Sequence, residues 1–446
     1  LAKKKKHVEK PKRALTKRQL SHFKKHQRRQ RIIFGAGILI VVAVLVVIGA
    51  GVYFGWYVPD VQPLHETVIR VNDTEFNMDY YVKAIKYQIP QMANQLALYG
   101  IDMDISYVYS MAGSLVTSIQ TSELVRQEAL KLGISVSDEE LAAKINEQFA
   151  SYDPSLLKTY RDVIRDTVRT QMLQDKLLSD YFDQQVPQSA EQRHIMAMFL
   201  ESQSQANELK GRLEGGELFS ELTAEFCLDS YCKSQDGDLG WHPREMLPQL
   251  INSPVLADSA FSAEVGVISQ PVYEEAKLKS LGYWLIELEF VDAEVDYAEL
   301  KVILLGSEEE ASEVRARLED GEDFAALAAE LSQHADSKEN GGELKVDARE
   351  LFSEAFDEFV FDPELEPGTI SQPIKDDTVV TEGGYWLIKV AEADDDRPID
   401  EADRDTLKRD ALNRWVEGLP DDPDNTVESY LDEEKTDWAV LRAWEG

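Results

Sequence analysis

LESQSQANELKGRLEGGELFSELTAEF, residues 200–226, aligns without a gap onto LGSEEEASEVRARLEDGEDFAALAAEL, residues 305–331, and 13 of the 27 positions are identical. The match resumes further on, where Ile268-Ser-Gln-Pro271 returns as Ile370-Ser-Gln-Pro373 and Gly282-Tyr-Trp-Leu-Ile286 as Gly384-Tyr-Trp-Leu-Ile388. A unit of about 100 residues is too long for a solenoid repeat and long enough to bury its own core, so it reads as a duplicated globular domain. Each copy reads strand, two helices, a glycine loop, a short helix and a closing strand, an α+β plan around a small sheet. Period-two alternation puts Trp284, Ile286, Leu288 and Phe290 on one face of the first closing strand and Trp386, Ile388 and Val390 on that of the second.

Ahead of the repeats, residues 78–185 carry helical spacing, clearest in Leu157, Tyr160, Val163, Ile164, Val168, Met172, Leu173, Leu177 and Leu178. Ser137-Asp-Glu-Glu140 is a capping box, and Gly133 is a natural stop for the helix before it. The apolar alternation Val68-Ile-Arg-Val71, closed by Asn72-Asp73, predicts a single strand. Behind the repeats the spacing predicts a helix over 403–417 and an apolar tail with Trp438, Leu441 and Trp444. That tail has no partner nearby in sequence and is expected to pack back on the helical region.

Charge divides the chain into zones. The net charge of -36 over 446 residues is the sum of +13 in residues 1–31, zero in 32–58 and -49 in 59–446. The uncharged run IIFGAGILIVVAVLVVIGAGVYFGWYV exceeds the roughly 20 residues a helix needs to cross a bilayer. Arg28, Arg29 and Arg31 precede it, and Tyr53, Trp56 and Tyr57 sit at its end. Positive-inside orientation then keeps the N-terminus cytoplasmic and sends the bulk outside as a single-pass cell-membrane protein. The apolar run is longer than the 7–15 residues of a typical signal-peptide core. A basic head beside a membrane is accounted for by orientation and lipid contact, so no nucleic-acid partner is expected.

The hydrophobic fraction of 43% excludes a mainly disordered chain, and two cysteines exclude a disulfide scaffold or a multi-cysteine metal protein. Cys227 and Cys232 are a candidate disulfide, tolerated by their spacing but not demanded by it. His65, His242 and His334 lack metal-ligand spacing, and no phosphate loop, dinucleotide fingerprint or Ser-His-Asp set occurs. No cofactor and no metal are expected.

Arg193-His194-Ile195, the pair Gly216-Glu217 with Phe219, Gly237-Asp-Leu-Gly-Trp241, Met246, Ala260-Phe261, Ile268-Ser-Gln-Pro271 and Gly282-Tyr-Trp-Leu-Ile286 resemble a parvulin-type peptidyl-prolyl isomerase domain. A helical domain ahead of such domains, behind one membrane helix, is similar to the SurA and PpiD class of envelope folding factors. The resemblance implies an α+β protein with one transmembrane helix, an all-α SurA-N-like chaperone domain and two tandem parvulin-like domains. Its divisions are a basic segment 1–31, a membrane helix 32–58, a chaperone domain 59–186, parvulin-like domains 187–293 and 294–396, and a C-terminal segment 397–446. It implies His194 and Asp229 as the polar catalytic cluster and Leu239, Met246 and Leu250 as the apolar wall for the proline ring. Trp284 is assigned to the same wall, where many active members carry a second histidine. The second copy has no histidine in its first strand, carries His334 in place of Asp229, and is read as catalytically silent. Implied partners are unfolded or proline-containing polypeptides, the membrane and, as a further candidate, the translocation machinery. Three functions stay open: an isomerase acting on translocated chains, a holdase chaperone with inactive parvulin domains, and, ranked third, a purely structural scaffold.

Overall fold

The computed structural model describes residues 17–292 and 296–445, so the first half of the basic head lies outside the described residues. The chain divides into two units, Leu1–Leu177 with Arg414–Gly446, and Leu178–Asn413.

In the first unit, the helix Lys17–Val52 continues as wider π-type turns over Tyr53–Val61, with Pro59 inside them. Proline has no N–H to donate and clashes with the carbonyl one turn back, which accounts for the widening. Gly37–Val61 is long and apolar enough to cross a membrane. Beyond it, β1 (Thr67–Val71) and β2 (Thr74–Asn77) form a hairpin whose turn places Asn72 at φ 52°. The predicted lone strand is therefore the centre of a three-stranded sheet, because Val427–Ser429 from the end of the chain pairs on its other edge, with Ile69 opposite Ser429. Helices Met78–Ala97, Ile105–Lys131, Asp138–Gln148 and Arg161–Lys176 follow, the third opened by the Ser137/Glu140 capping box. Tyr81 donates to the Ala112 carbonyl at 2.8 Å and ties the first two together. The helix Glu433–Trp444 buries Ala439, Val440 and Ala443 and packs against Met78–Ala97 and Ile105–Lys131.

The second unit holds β3 (Ser189–Leu200), β4 (Asp238–Pro243), β5 (Val272–Lys279), β6 (Gly282–Asp292), β7 (Tyr297–Leu305), β8 (Glu343–Val346), β9 (Ile374–Asp376) and β10 (Thr381–Pro398). They form two antiparallel sheets, ordered β4-β3-β10-β5 and β8-β7-β6-β9. This corrects the expectation that each copy closes its own sheet. The closing strand of copy two, β10, lies beside β3 with Trp386 opposite Phe199; that of copy one, β6, lies beside β7 with Trp284 opposite Leu304. The two copies thus exchange their last strands within one chain.

The physical reason lies in sequence identity and in the links. Both closing strands contain Gly-Tyr-Trp-Leu-Ile, so either sheet can accept either strand. Four sequence positions separate paired Asp292 from Tyr297, a length that favours a hairpin between β6 and β7. At the crossing, Lys279 opposes Thr381 and Gly282 opposes Asp376, so the two connections run side by side. The fit is close: a Cβ on Gly384 would fall 2.5 Å from the ring of Phe199 and 2.6 Å from the Leu200 carbonyl, both of copy one. The helices Gln203–Glu214 and Phe219–Phe226 cover the first sheet, and Glu308–Glu319 and Phe324–Leu331 the second.

Candidate functional site

His194 projects from β3 opposite Trp241 of β4. Its Nε2 lies 2.7 Å from Oδ1 of Asp238, and its ring stacks on Trp241 with centroids 5.7 Å apart. A carboxylate only accepts, so Nε2 carries a proton, and in the neutral ring that leaves Nδ1 as the acceptor. The same Asp238 oxygen accepts the Gly240 N–H at 3.0 Å, which holds the loop that presents Trp241. Arg397 of β10 lies over the Trp241 ring, 4.1 Å from its centroid. The loop needs its first glycine: Gly237 has φ 80°, and a Cβ there would meet Thr223 and Phe219 below 3 Å.

Asp229 occupies a different environment. Its Oδ1 caps the short helix Ser230–Ser234 by accepting from Cys232 N at 2.8 Å, and its Oδ2 pairs with Lys277 Nζ at 2.7 Å, both side chains nearly buried. Lys277 also donates to the Ile251 carbonyl and sits 5.6 Å from the Trp386 ring centroid. Removing one partner of such a buried pair costs roughly 3–5 kcal/mol, because the other charge is left unpaired. Among the described residues no hydrogen bond or ion pair joins Asp229 to His194.

The expected apolar wall is inside the protein. Leu239 and Met246 are 5% and 4% exposed, and Leu250 is partly buried. Met246 packs with Val186, Ile399 and Leu407, and Leu250 and Ala411 lie against the same cluster. Leu407 and Ala411 belong to the helix Glu401–Gly418, which therefore covers this wall. The cover is pinned by polar contacts: His242 Nδ1 to Asp403 at 2.5 Å, Gln249 to Asp410 at 2.9 Å, and Arg404 to Asp183 and the Val186 carbonyl. His242 Nε2 faces the Leu239 carbonyl at 2.7 Å, so both ring nitrogens meet acceptors. Burial opposes a charge on this ring, but the hydrogen bond and charge of Asp403, aided by the Leu239 carbonyl, outweigh it and raise the pKa above 6.5.

Trp284 is not in this region. Exchange of β6 carries it into the second sheet, where its Nε1 donates to Asp376 at 2.9 Å and its ring meets His334, Phe352 and Phe356 edge-on. Its equivalent in the first sheet is Trp386, fully buried against Phe199 and donating to Glu274. His334 hydrogen-bonds Ser337 at 2.9 Å, and burial lowers its pKa. Cys227 and Cys232 are free, buried thiols in the first core. Sequence reasoning missed Lys277 and Asp403, which reach the site from distant segments, and named Trp386 only as part of the second repeat. Asp238 and Trp241 lay inside the quoted glycine motif and were the partners with a local signal.

A separate cavity of about 620 Å³ lies in the first unit among the helices Met78–Ala97, Ile105–Lys131 and Arg161–Lys176. Tyr80, Tyr87, Met92, Met111, Leu115 and Gln91 are among its lining residues. Asp166 at its wall has its pKa raised by burial and accepts from Tyr80 at 3.1 Å.

Residues 194–289 and 306–392 match the PPIC-type PPIASE domain, described as rotamase, and residues 20–171 match the SurA-like N-terminal domain. The chain thus holds two stretches similar to the parvulin-type domain behind one similar to the SurA-like N-terminal domain. Foldase protein PrsA 3 of Bacillus anthracis is 38% identical over 114 residues, covering 25% of this chain and 38% of that protein. Foldase protein PrsA of Geobacillus kaustophilus is 27% identical over 195 residues, covering 40% and 64%. Chaperone SurA of Chromohalobacter salexigens is 28% identical over 235 residues, covering 48% and 49%. The matches thus span between 38% and 64% of these relatives' lengths.

Proposed function

We propose that this chain is a membrane-anchored, extracytoplasmic folding factor that binds unfolded polypeptides and isomerises their X-Pro bonds at the first sheet. Resonance in the amide sets a barrier of about 20 kcal/mol, so a catalyst must favour the twisted amide over the planar one. An apolar wall for the proline ring and a few oriented polar groups suffice, and no covalent intermediate or cofactor is needed. The observation that carries the reading is His194, held through Nε2 by Asp238 and stacked on Trp241. The second sheet has no histidine in its equivalent strand β7, which supports a binding or spacer role for it. The helical unit would hold the client, its mixed cavity taking apolar side chains beside polar main chain.

A second reading, a holdase without isomerase activity, is favoured by the cover over Met246 and Leu250 and by tryptophan in both closing strands. On the first reading the Glu401–Gly418 helix must move aside for substrate to reach the wall. The test is a proline-peptide isomerisation assay on the full chain in detergent micelles, since a fragment ending at 293 lacks β10. A rate above background that falls in His194→Ala supports the isomerase. No rate above background sinks it, and suppression of client aggregation by the same sample then decides for the holdase.

A further inference from the structure

Two helices of the first unit run back toward the apolar N-terminal helix and end in exposed apolar tips. Met78 opens the first, its N–H donating to the Glu66 carbonyl at 2.9 Å, and two turns later Lys86 shares a surface cavity with Asp60 and Arg442. The second helix repeats this course: Lys435 lies 3.7 Å from Glu66, Trp438 Nε1 donates to the Pro59 carbonyl at 3.2 Å, and Arg442 lies 3.5 Å from Asp60. Chain direction from Glu66 to Asp60 is the direction back into the apolar helix. Both helices therefore advance toward the aromatic end of that helix, where Tyr53, Trp56 and Tyr57 are exposed.

Past Lys86 the Met78–Ala97 helix continues for eleven residues, about 16 Å at 1.5 Å per residue. It ends at Leu98 and Tyr99, 85% and 75% exposed, followed by exposed Ile101. At the end of the other helix, Leu441 and Trp444 are 44% and 42% exposed. Exposed apolar groups at the ends of two helices that both run toward the apolar helix, the first reaching further than the second, fit the headgroup and upper acyl layer, where Trp and Tyr are favoured.

We propose that Leu98, Tyr99, Ile101, Leu441 and Trp444 dock onto the outer surface of the bilayer and form a second membrane contact. The inference rests on reading the apolar helix as a membrane span. The exposed carboxylate of Asp102 beside the first tip limits the depth to the headgroup layer. Two contacts at different points would hold the helical unit at a set tilt, whereas one helix alone would let it swivel.

The test uses the full chain in phosphatidylcholine–phosphatidylglycerol vesicles, with an environment-sensitive fluorophore on a cysteine at Val44, Tyr99 or Trp444, one site per sample. Doxyl-labelled lipid should quench all three, and aqueous iodide should leave Tyr99→Cys and Trp444→Cys largely unquenched. Lipid quenching at Val44→Cys alone, with iodide quenching at the other two, overturns the docking and leaves the span intact. Iodide quenching at all three overturns the span and the docking with it. Protection at positions 99 and 444 that appears only on adding an unfolded polypeptide assigns the tips to clients and also overturns the docking.

Discussion

The indole of Trp284, from the first repeat, donates to the carboxylate of Asp376, from the second, at 2.9 Å inside the second sheet. The reciprocal pair, Trp386 with Glu274, lies inside the first. Each repeat thus completes its partner's core, and the two halves of the unit are bound to fold together.

Strand exchange has a direct covalent test. Glu287 and Lys301 are register partners on β6 and β7, so Glu287→Cys with Lys301→Cys should form a disulfide on mild oxidation, read as a gel shift and by mass spectrometry. Lys389→Cys with Lys301→Cys, adjacent only if the strands stayed home, should not. The opposite pattern removes the exchange.

Trp386→Ala should damage the first sheet although it lies in the second repeat. Loss of a buried tryptophan costs about 3–5 kcal/mol. Hydrogen exchange should therefore speed up in β3 and β5. Protection lost only in β7 to β9 would contradict the assignment.

Asp238→Asn keeps an acceptor for Gly240 but weakens the hold on His194. At about 1.5 kcal/mol for a charge-assisted bond, the isomerisation rate should drop roughly tenfold with the thermal midpoint nearly unchanged. An unaltered rate would place His194 outside the reaction.

The cover over Met246 should loosen with rising pH. His242 has a raised pKa in the folded protein, so its contribution is complete below 6.5 and is lost as pH climbs through the folded value. Amide protection of residues 401–413, corrected for intrinsic exchange, should decline over that interval and show no such step in Asp403→Asn. Leu407→Ala should weaken the cover at every pH and raise the peptide rate; a rate unchanged by that variant would mean the helix does not gate the wall.

Lys279 sits where the two strands cross, donating to the Glu382 and Gly383 carbonyls with Glu201 and Glu310 nearby. Burial pushes its pKa down to about 8 from 10.5, against the pull of those two glutamates. Between these values the unfolded chain binds the extra proton, so this lysine makes stability rise with pH there, by up to about 3 kcal/mol. Urea unfolding at pH 7 and pH 9.5 should show the gain in the native chain relative to Lys279→Met. Equal slopes for the two proteins would discount the buried ammonium.

The sequence by itself determined the parts. Apolar run length, helical spacing, the Ser137–Glu140 capping box and the repeat of about 100 residues are local or periodic signals, written in neighbouring residues. The turn at Asn72-Asp73 and the glycines of the Gly237–Trp241 loop were equally readable, since positive φ demands particular residues. The tertiary structure decided which parts go together. Two strands that share Gly-Tyr-Trp-Leu-Ile carry the same apolar pattern, so nothing in either says which sheet it completes; the hairpin from Asp292 to Tyr297 does. Likewise, the pairing of Val427–Ser429 with Ile69, of Asp229 with Lys277 and of His242 with Asp403 depends on surfaces that meet only after collapse. Burial and hydrogen bonding select such partners by fit in space, and distance along the chain leaves no trace of that fit.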